Sequence, residues 1–145
     1  MKILKSLAST VCALSLLLIL TSATPAKAQF PAYLHALSDL RSARAYLEYD
    51  HRHVGEHERQ RAIEHISRAI DDIKVAARDD GKNPWHTPPP QSGGSEGWPI
   101  HSAVRLLREA RGDVDHGRDL PENHGLRERS VENIDKALHE LESLL

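Results

Sequence analysis

The chain has 145 residues, with 19 Lys and Arg against 21 Asp and Glu, a net charge of −2 with His neutral. It holds one Cys, one Met and 10 His. A single Cys excludes a disulfide framework, and the slight acid excess argues against a nucleic-acid-binding protein, which carries a basic surplus.

Residues 1–28 read as an export signal. Lys2 and Lys5 form a basic start, Leu7 to Leu20 is a mostly apolar run, and Ala26-Lys27-Ala28 is an A-x-A cleavage site. The apolar run is short for a membrane span, which needs about 20 residues. Cleavage is expected before Gln29. The exported chain would then be one domain, residues 29–145, without Cys or Met. Three lysines leave with the signal, so the balance becomes 16 basic to 21 acidic residues, or −5. Such a chain is expected in the periplasm or outside the cell, held together by its core alone.

Four amphipathic helices are predicted. The first covers Pro31 to Tyr49, with Tyr33, Leu37, Leu40 and Leu47 on one stripe and Ala36 and Ala43 widening it. Arg44 falls beside that seam, where its guanidinium can reach a carboxylate. Asp50 to Glu56 is a turn. The second helix runs from about His57 to Arg78. Its stripe is Ile63, Ile66, Ile70, Ile73 and Ala77, with Ala69 and Ala76 alongside. Gly81 is placed to end it in the left-handed conformation.

Residues 82–98 differ in kind. Pro84, Pro88-Pro89-Pro90 and three glycines exclude a long helix, so this stretch is a linker. Both tryptophans, Trp85 and Trp98, lie in it. A solvated tether rarely carries its chain's two largest apolar side chains, so one or both are expected to fold back onto the bundle.

The third helix runs from about Pro99 to Val114, with Val104, Leu107, Ala110 and Val114 as its stripe and Ala103 and Leu106 at its flanks. Asp115 to Asn123 is a loop. Asn123 is a candidate cap for the fourth helix, whose stripe is Val131, Ile134, Leu138, Leu141 and Leu145.

The halves resemble each other. Ala36-Leu37-x-x-Leu40-Arg41-x-Ala43-Arg44 returns as Ala103-Val104-x-x-Leu107-Arg108-x-Ala110-Arg111 at an offset of 67, and the stripes of the second and fourth helices match at an offset of 68. Hairpin 31–81, linker 82–98 and hairpin 99–145 therefore read as a duplication. Two hairpins with one apolar face each close into an all-α four-helix bundle. The alternative, a repeat array, has too few copies to stand without oligomerising.

Several segments carry a resemblance. These are Leu37-x-x-Leu40-Arg41-x-Ala43-Arg44, Ala62-Ile63-x-x-Ile66-x-x-Ala69-Ile70-x-x-Ile73-Lys74-x-Ala76, Asp79-Asp80-Gly81-Lys82, Pro88-Pro89 and the helix start Ile100-His101. Together they resemble a group of small exported bacterial helical proteins with a hairpin–linker–hairpin plan. The resemblance spans most of the chain beyond the signal. It implies a fold and no activity.

Catalytic signatures are missing: no G-x-S-x-G, no glycine-rich phosphate loop, no H-E-x-x-H and no C-x-x-C-H. Histidine is the one oddity. Asp50, His51, His53 and His57 gather around the first hairpin loop, and imidazole with carboxylate suits zinc, nickel or copper. The second loop offers His116 and His124, with Asp113, Asp115 and Glu122 nearby. They could complete a site if both loops share one end. That arrangement is favoured, because short-range neighbours are the commoner topology. A linker of about 17 residues could instead extend about 50 Å and cross a 20-residue helix of about 30 Å. Solvated loops remain the stronger reading of these histidines. His35, His86 and His101, with Trp85 and Trp98, could line an aromatic pocket, though tryptophans covering the core is the simpler expectation. His65 and His139 sit off the stripes, and Asp71-Asp72 and Asp79-Asp80 read as solvated charge.

The function expected is a non-enzymatic binding or interaction protein of the bacterial cell envelope, partnered by an unknown protein or envelope component. The alternative is a periplasmic metal-binding protein using the hairpin-loop histidines. A divalent metal is the one cofactor these residues suggest.

Overall fold

The computed structural model describes residues 30–51, 55–91, 98–116 and 125–145. Residues 1–28, His53, Glu122, Asn123 and His124 lie outside them. The protein is a four-helix bundle: α1 is Ala32–Glu48, α2 is Glu56–Asp79, α3 is Pro99–His116 and α4 is Leu126–Glu142. Among the described residues there is no strand, and no helix is long and apolar enough to cross a membrane.

The helix ends follow local chemistry. Gly81 takes a φ of 67°, the Gly81 N–H donates to Arg78 O at 2.9 Å, and the Lys82 N–H donates to Ala77 O at 2.8 Å. This is a Schellman closure of α2, as Gly81 predicts. α4 begins at a left-handed Gly125. Pro99 opens α3, where its missing N–H costs nothing.

The stripes are the core. Leu37, Leu40 and Leu47 of α1, Ile66 and Ile73 of α2, Leu106 and Leu107 of α3 and Ile134 and Leu141 of α4 are fully buried. Ile63 and Val131, matched positions at the stripe edges, are both partly buried. Leu145 departs from the stripe: it follows the last turn of α4 and is 57% exposed. The most extensive interfaces join the hairpins, α1 against α3 and α2 against α4, while the contacts within each hairpin are smaller. Arg44 reaches Glu48 at 3.3 Å.

Ion pairs define the direction of the helices. Arg61 bonds Glu140 at 2.8 Å, His65 meets Asn133 at 3.3 Å and Arg129 bonds Asp72 at 3.2 Å. As α2 advances, α4 recedes, so the two are antiparallel. Arg108 with Glu142 and Arg111 with Asp135 show the same for α3 and α4. Because α1 and α2 form a hairpin, α3 must run against α1 and alongside the diagonal α2. The hairpin loops therefore lie at opposite ends. This corrects the expected same-end arrangement. Leu144, just past α4, sits against Gly55 in the first loop, as this geometry requires. Positions 61 and 129, and 72 and 140, are each 68 apart, so the two cross-hairpin ion pairs exchange under an approximate twofold axis near His65 and Asn133.

Like charges explain why α2 and α4 are not parallel. Parallel packing at the sequence offset would set Arg61 beside Arg129 and Asp72 beside Glu140. Antiparallel packing sets each arginine on a carboxylate. Each exposed pair alone is weak, but the choice between orientations turns two attractions into two repulsions. Arg61→Glu with Arg129→Glu should lower the urea midpoint, and adding Asp72→Arg with Glu140→Arg should restore it. Both effects should fade in 1 M salt, where screening shortens to about 3 Å.

The described part of the linker, residues 82–91, leaves the end of α2 and runs along the bundle to Gln91. It is docked by prolines rather than tryptophans. Pro84 and Pro88 are buried, whereas Trp85 is 73% and Trp98 65% exposed. Proline suits this contact because it brings apolar surface without an N–H to satisfy. Native Trp emission should accordingly sit close to the solvent value and shift little in urea. A strong blue shift would place an indole inside the core.

Candidate binding face along the linker

Where the linker passes α1 and α3 it meets an acidic chamber in which Asp39 is buried and Glu109 and Asp113 are half-buried. Asp39 projects from α1 and is 0% exposed. Its Oδ1 accepts the Gln91 N–H at 2.8 Å, while its Oδ2 is buried without a hydrogen-bond partner. The Gln91 side-chain amide donates to Asp113 of α3. Glu109, one turn before Asp113, adds a third carboxylate close enough to act on Asp39. Burial pushes Asp39 up to about 6; the Gln91 N–H opposes this, and Glu109 and Asp113 reinforce it. Burial also raises Asp113, against the Gln91 bond and the His35 charge. Helical spacing assembles the chamber, since 35 and 39, and 109 and 113, are each one turn apart on facing helices.

Beside it, Phe30 meets His86 at 5.4 Å and His35 at 6.3 Å between ring centroids. Of the expected aromatic pocket, His35 and His86 thus come together around Phe30. Trp98 and the exposed His101 start α3 at the far end. The linker also carries Trp85 outward. Arg41 of α1 lies 4.9 Å and Lys74 of α2 5.3 Å from its ring centroid. Lys74 is paired with Asp71 at 3.1 Å. Arg41 has a buried Nη2 without a hydrogen-bond partner, and its pKa is lowered by burial and by Arg44.

Comparison with known protein families, with curated proteins and with solved structures found no match. The reading of this face therefore rests on its own chemistry.

The hairpin-loop histidines divide between the two ends. Asp50, His51 and His57 are at the first hairpin loop; Asp50 is buried, its carbonyl accepts from Arg59, and both histidines are exposed. His116 stands at the opposite end, exposed at the last residue of α3, with Nδ1 3.1 Å from Gly112 O. The helix directions thus set Asp50, His51 and His57 at one end and His116 at the other, so these described donors do not share one site. Among the described residues no three His, Asp or Glu side chains are grouped to hold a metal. A shallow groove along α4, past Val131 and His139, is lined by charges already paired, Lys136 with Glu132, Asp135 with Arg111 and Glu140 with Arg61.

Proposed function

We propose that this is an exported, non-enzymatic binding protein of the bacterial cell envelope, which meets its partner through the linker face around Trp85. The observation that carries the reading is Trp85 itself, an indole 73% exposed on a stretch otherwise anchored to the helices. Exposed tryptophans are enriched where proteins bind others. Arg41 and Lys74 beside it favour a partner offering acidic groups next to an apolar or aromatic surface. Asp39 has the elevated pKa of many catalytic carboxylates, but it is enclosed beneath the linker, where it holds backbone rather than faces a substrate. The signal-like N-terminus and the group resemblance support the envelope location.

A photocrosslinker at the exposed Lys82, in intact envelopes, tests the reading. A discrete adduct should form and vanish in a Trp85→Ala background that keeps its helical circular dichroism. An adduct indifferent to Trp85, or none, would set the reading aside.

A second reading keeps a divalent metal at the first hairpin loop alone, because the fold brings Asp50, His51 and His57 to one end. Neutral imidazole is the ligand form, so affinity should weaken in acid. Calorimetric titration with zinc at pH 7.5 should give a defined stoichiometry, weakened tenfold or more in His51→Ala/His57→Ala. Equal weak binding by both proteins would leave these histidines as loop residues.

A further inference from the structure

Residues 82–91 run along α1 as a strap, with Trp85 beside Arg41 of α1 and Lys74 of α2, and Gln91 over the α1/α3 groove. Its hydrogen bonds at His86 N–H and Trp85 N–H both go to Asn83, so they stay within the strap. Gln91 ties it to the bundle through two carboxylates, Asp39 by its N–H and Asp113 by its side chain. Pro84 and Pro88 add apolar contact without donors. The groove beneath is crowded with like charge: Asp39 from α1, and Glu109 and Asp113 from α3, with His35 of α1 acting on Asp113. An ionised Asp39 there keeps one oxygen without a donor, which is costly in a buried site.

We propose that residues 82–91 form a proton-controlled strap, closed over the groove when Asp39 is protonated and lifted at Gln91 when Asp39 is ionised. Lifting lets water reach the carboxylates and spreads their charge. The strap is the part that yields, because α1 and α3 are locked together by Ala36, Leu40, Leu107 and Ala110, all fully buried. Asp39, raised from 3.8 to about 6 when covered, places the rise in opening between those two values, in the mildly acidic range. The strap carries Trp85, so the device would move that indole, but it stands whether or not Trp85 contacts a partner.

Amide exchange by nuclear magnetic resonance on the full exported chain tests the strap. If lifting returns Asp39 to an ordinary carboxylate, the opening equilibrium grows by up to about 25-fold between pH 4.5 and 7.5. Protection of the Gln91 amide, corrected for the intrinsic pH dependence of exchange, should therefore fall about ten- to 25-fold. The Ile66 and Ile134 amides should keep theirs. Asp39→Asn should hold Gln91 protection level across the range. Glu109→Gln, which removes one like charge and keeps Asp39, should move the transition to lower pH. Level protection in the parent, a parallel fall at Ile66 and Ile134, a pH step surviving in Asp39→Asn, or an unmoved midpoint in Glu109→Gln would each overturn the proposal.

Discussion

Ile66→Ala and Ile134→Ala are each expected to cost about 2–5 kcal/mol of folding stability. Both side chains are fully buried, both face the α2/α4 interface, and they occupy matched positions 68 apart. Truncation removes the transfer energy of the lost methylenes and leaves a cavity that packed helices close only in part. Equal losses would show that the two hairpins share the core evenly. The joint variant should lose roughly the sum if the sites relax independently, and less if one collapse serves both cavities. Urea unfolding of residues 29–145 at one pH measures all three. A near-neutral result at either position would mean that its stripe does not face the partner hairpin.

The stripes were legible because four runs of i, i+3, i+4 spacing leave only one way to hide their apolar faces. The orientation of the hairpins was legible too, but in the charges rather than the apolar pattern. Arg61 and Arg129 repeat each other at the same offset as Asp72 and Glu140. Repeats that pack in parallel bring equivalents together, and these equivalents repel. Counting linker length and short-range neighbours overlooks that term. The tryptophans misled for a related reason. Size made Trp85 and Trp98 the natural anchors of the linker, yet a docked extended chain needs apolar groups that leave no buried N–H behind, and Pro84 and Pro88 meet that need.

The acidic chamber was harder to see. Asp39 sits beside Leu40 and one turn after Ala36, at the margin of the α1 stripe, where a charged residue normally faces water. The linker meets that margin at Gln91, and contact with a segment without periodicity leaves no trace in a helical pattern. The signal available was the acidic pair Glu109 and Asp113, one turn apart on the matching margin of α3, which faces Asp39 once α1 and α3 run antiparallel. The hairpin-loop histidines drew attention by composition, and composition says nothing about which end of a bundle a loop occupies.

Asp39→Asn should make the protein more stable at neutral pH. Asp39 is raised from 3.8 to about 6 in the folded chain. Between those values the folded protein holds the proton and the unfolded chain releases it, so rising pH favours unfolding. The loss is complete above about pH 6, where both states are ionised, and absent well below 3.8, where both are protonated. Two pKa units correspond to about 3 kcal/mol, an upper bound that hydration under a lifted strap would reduce. Asparagine keeps the acceptor for Gln91 N–H and aims an amide donor where Oδ2 now has no partner. The variant should therefore gain about 1–3 kcal/mol at pH 7.5, match the parent near pH 4, and lack the downward slope between. Asp113 shifts in the same direction as Asp39, while Glu132 and Glu140 are lowered by Lys136 and Arg61 and act with the opposite sign. All three remain in both proteins, so the difference between the two unfolding curves reports Asp39. A variant less stable than the parent at both pH values would show that the buried carboxylate is a structural anchor, with partners that repay its charge.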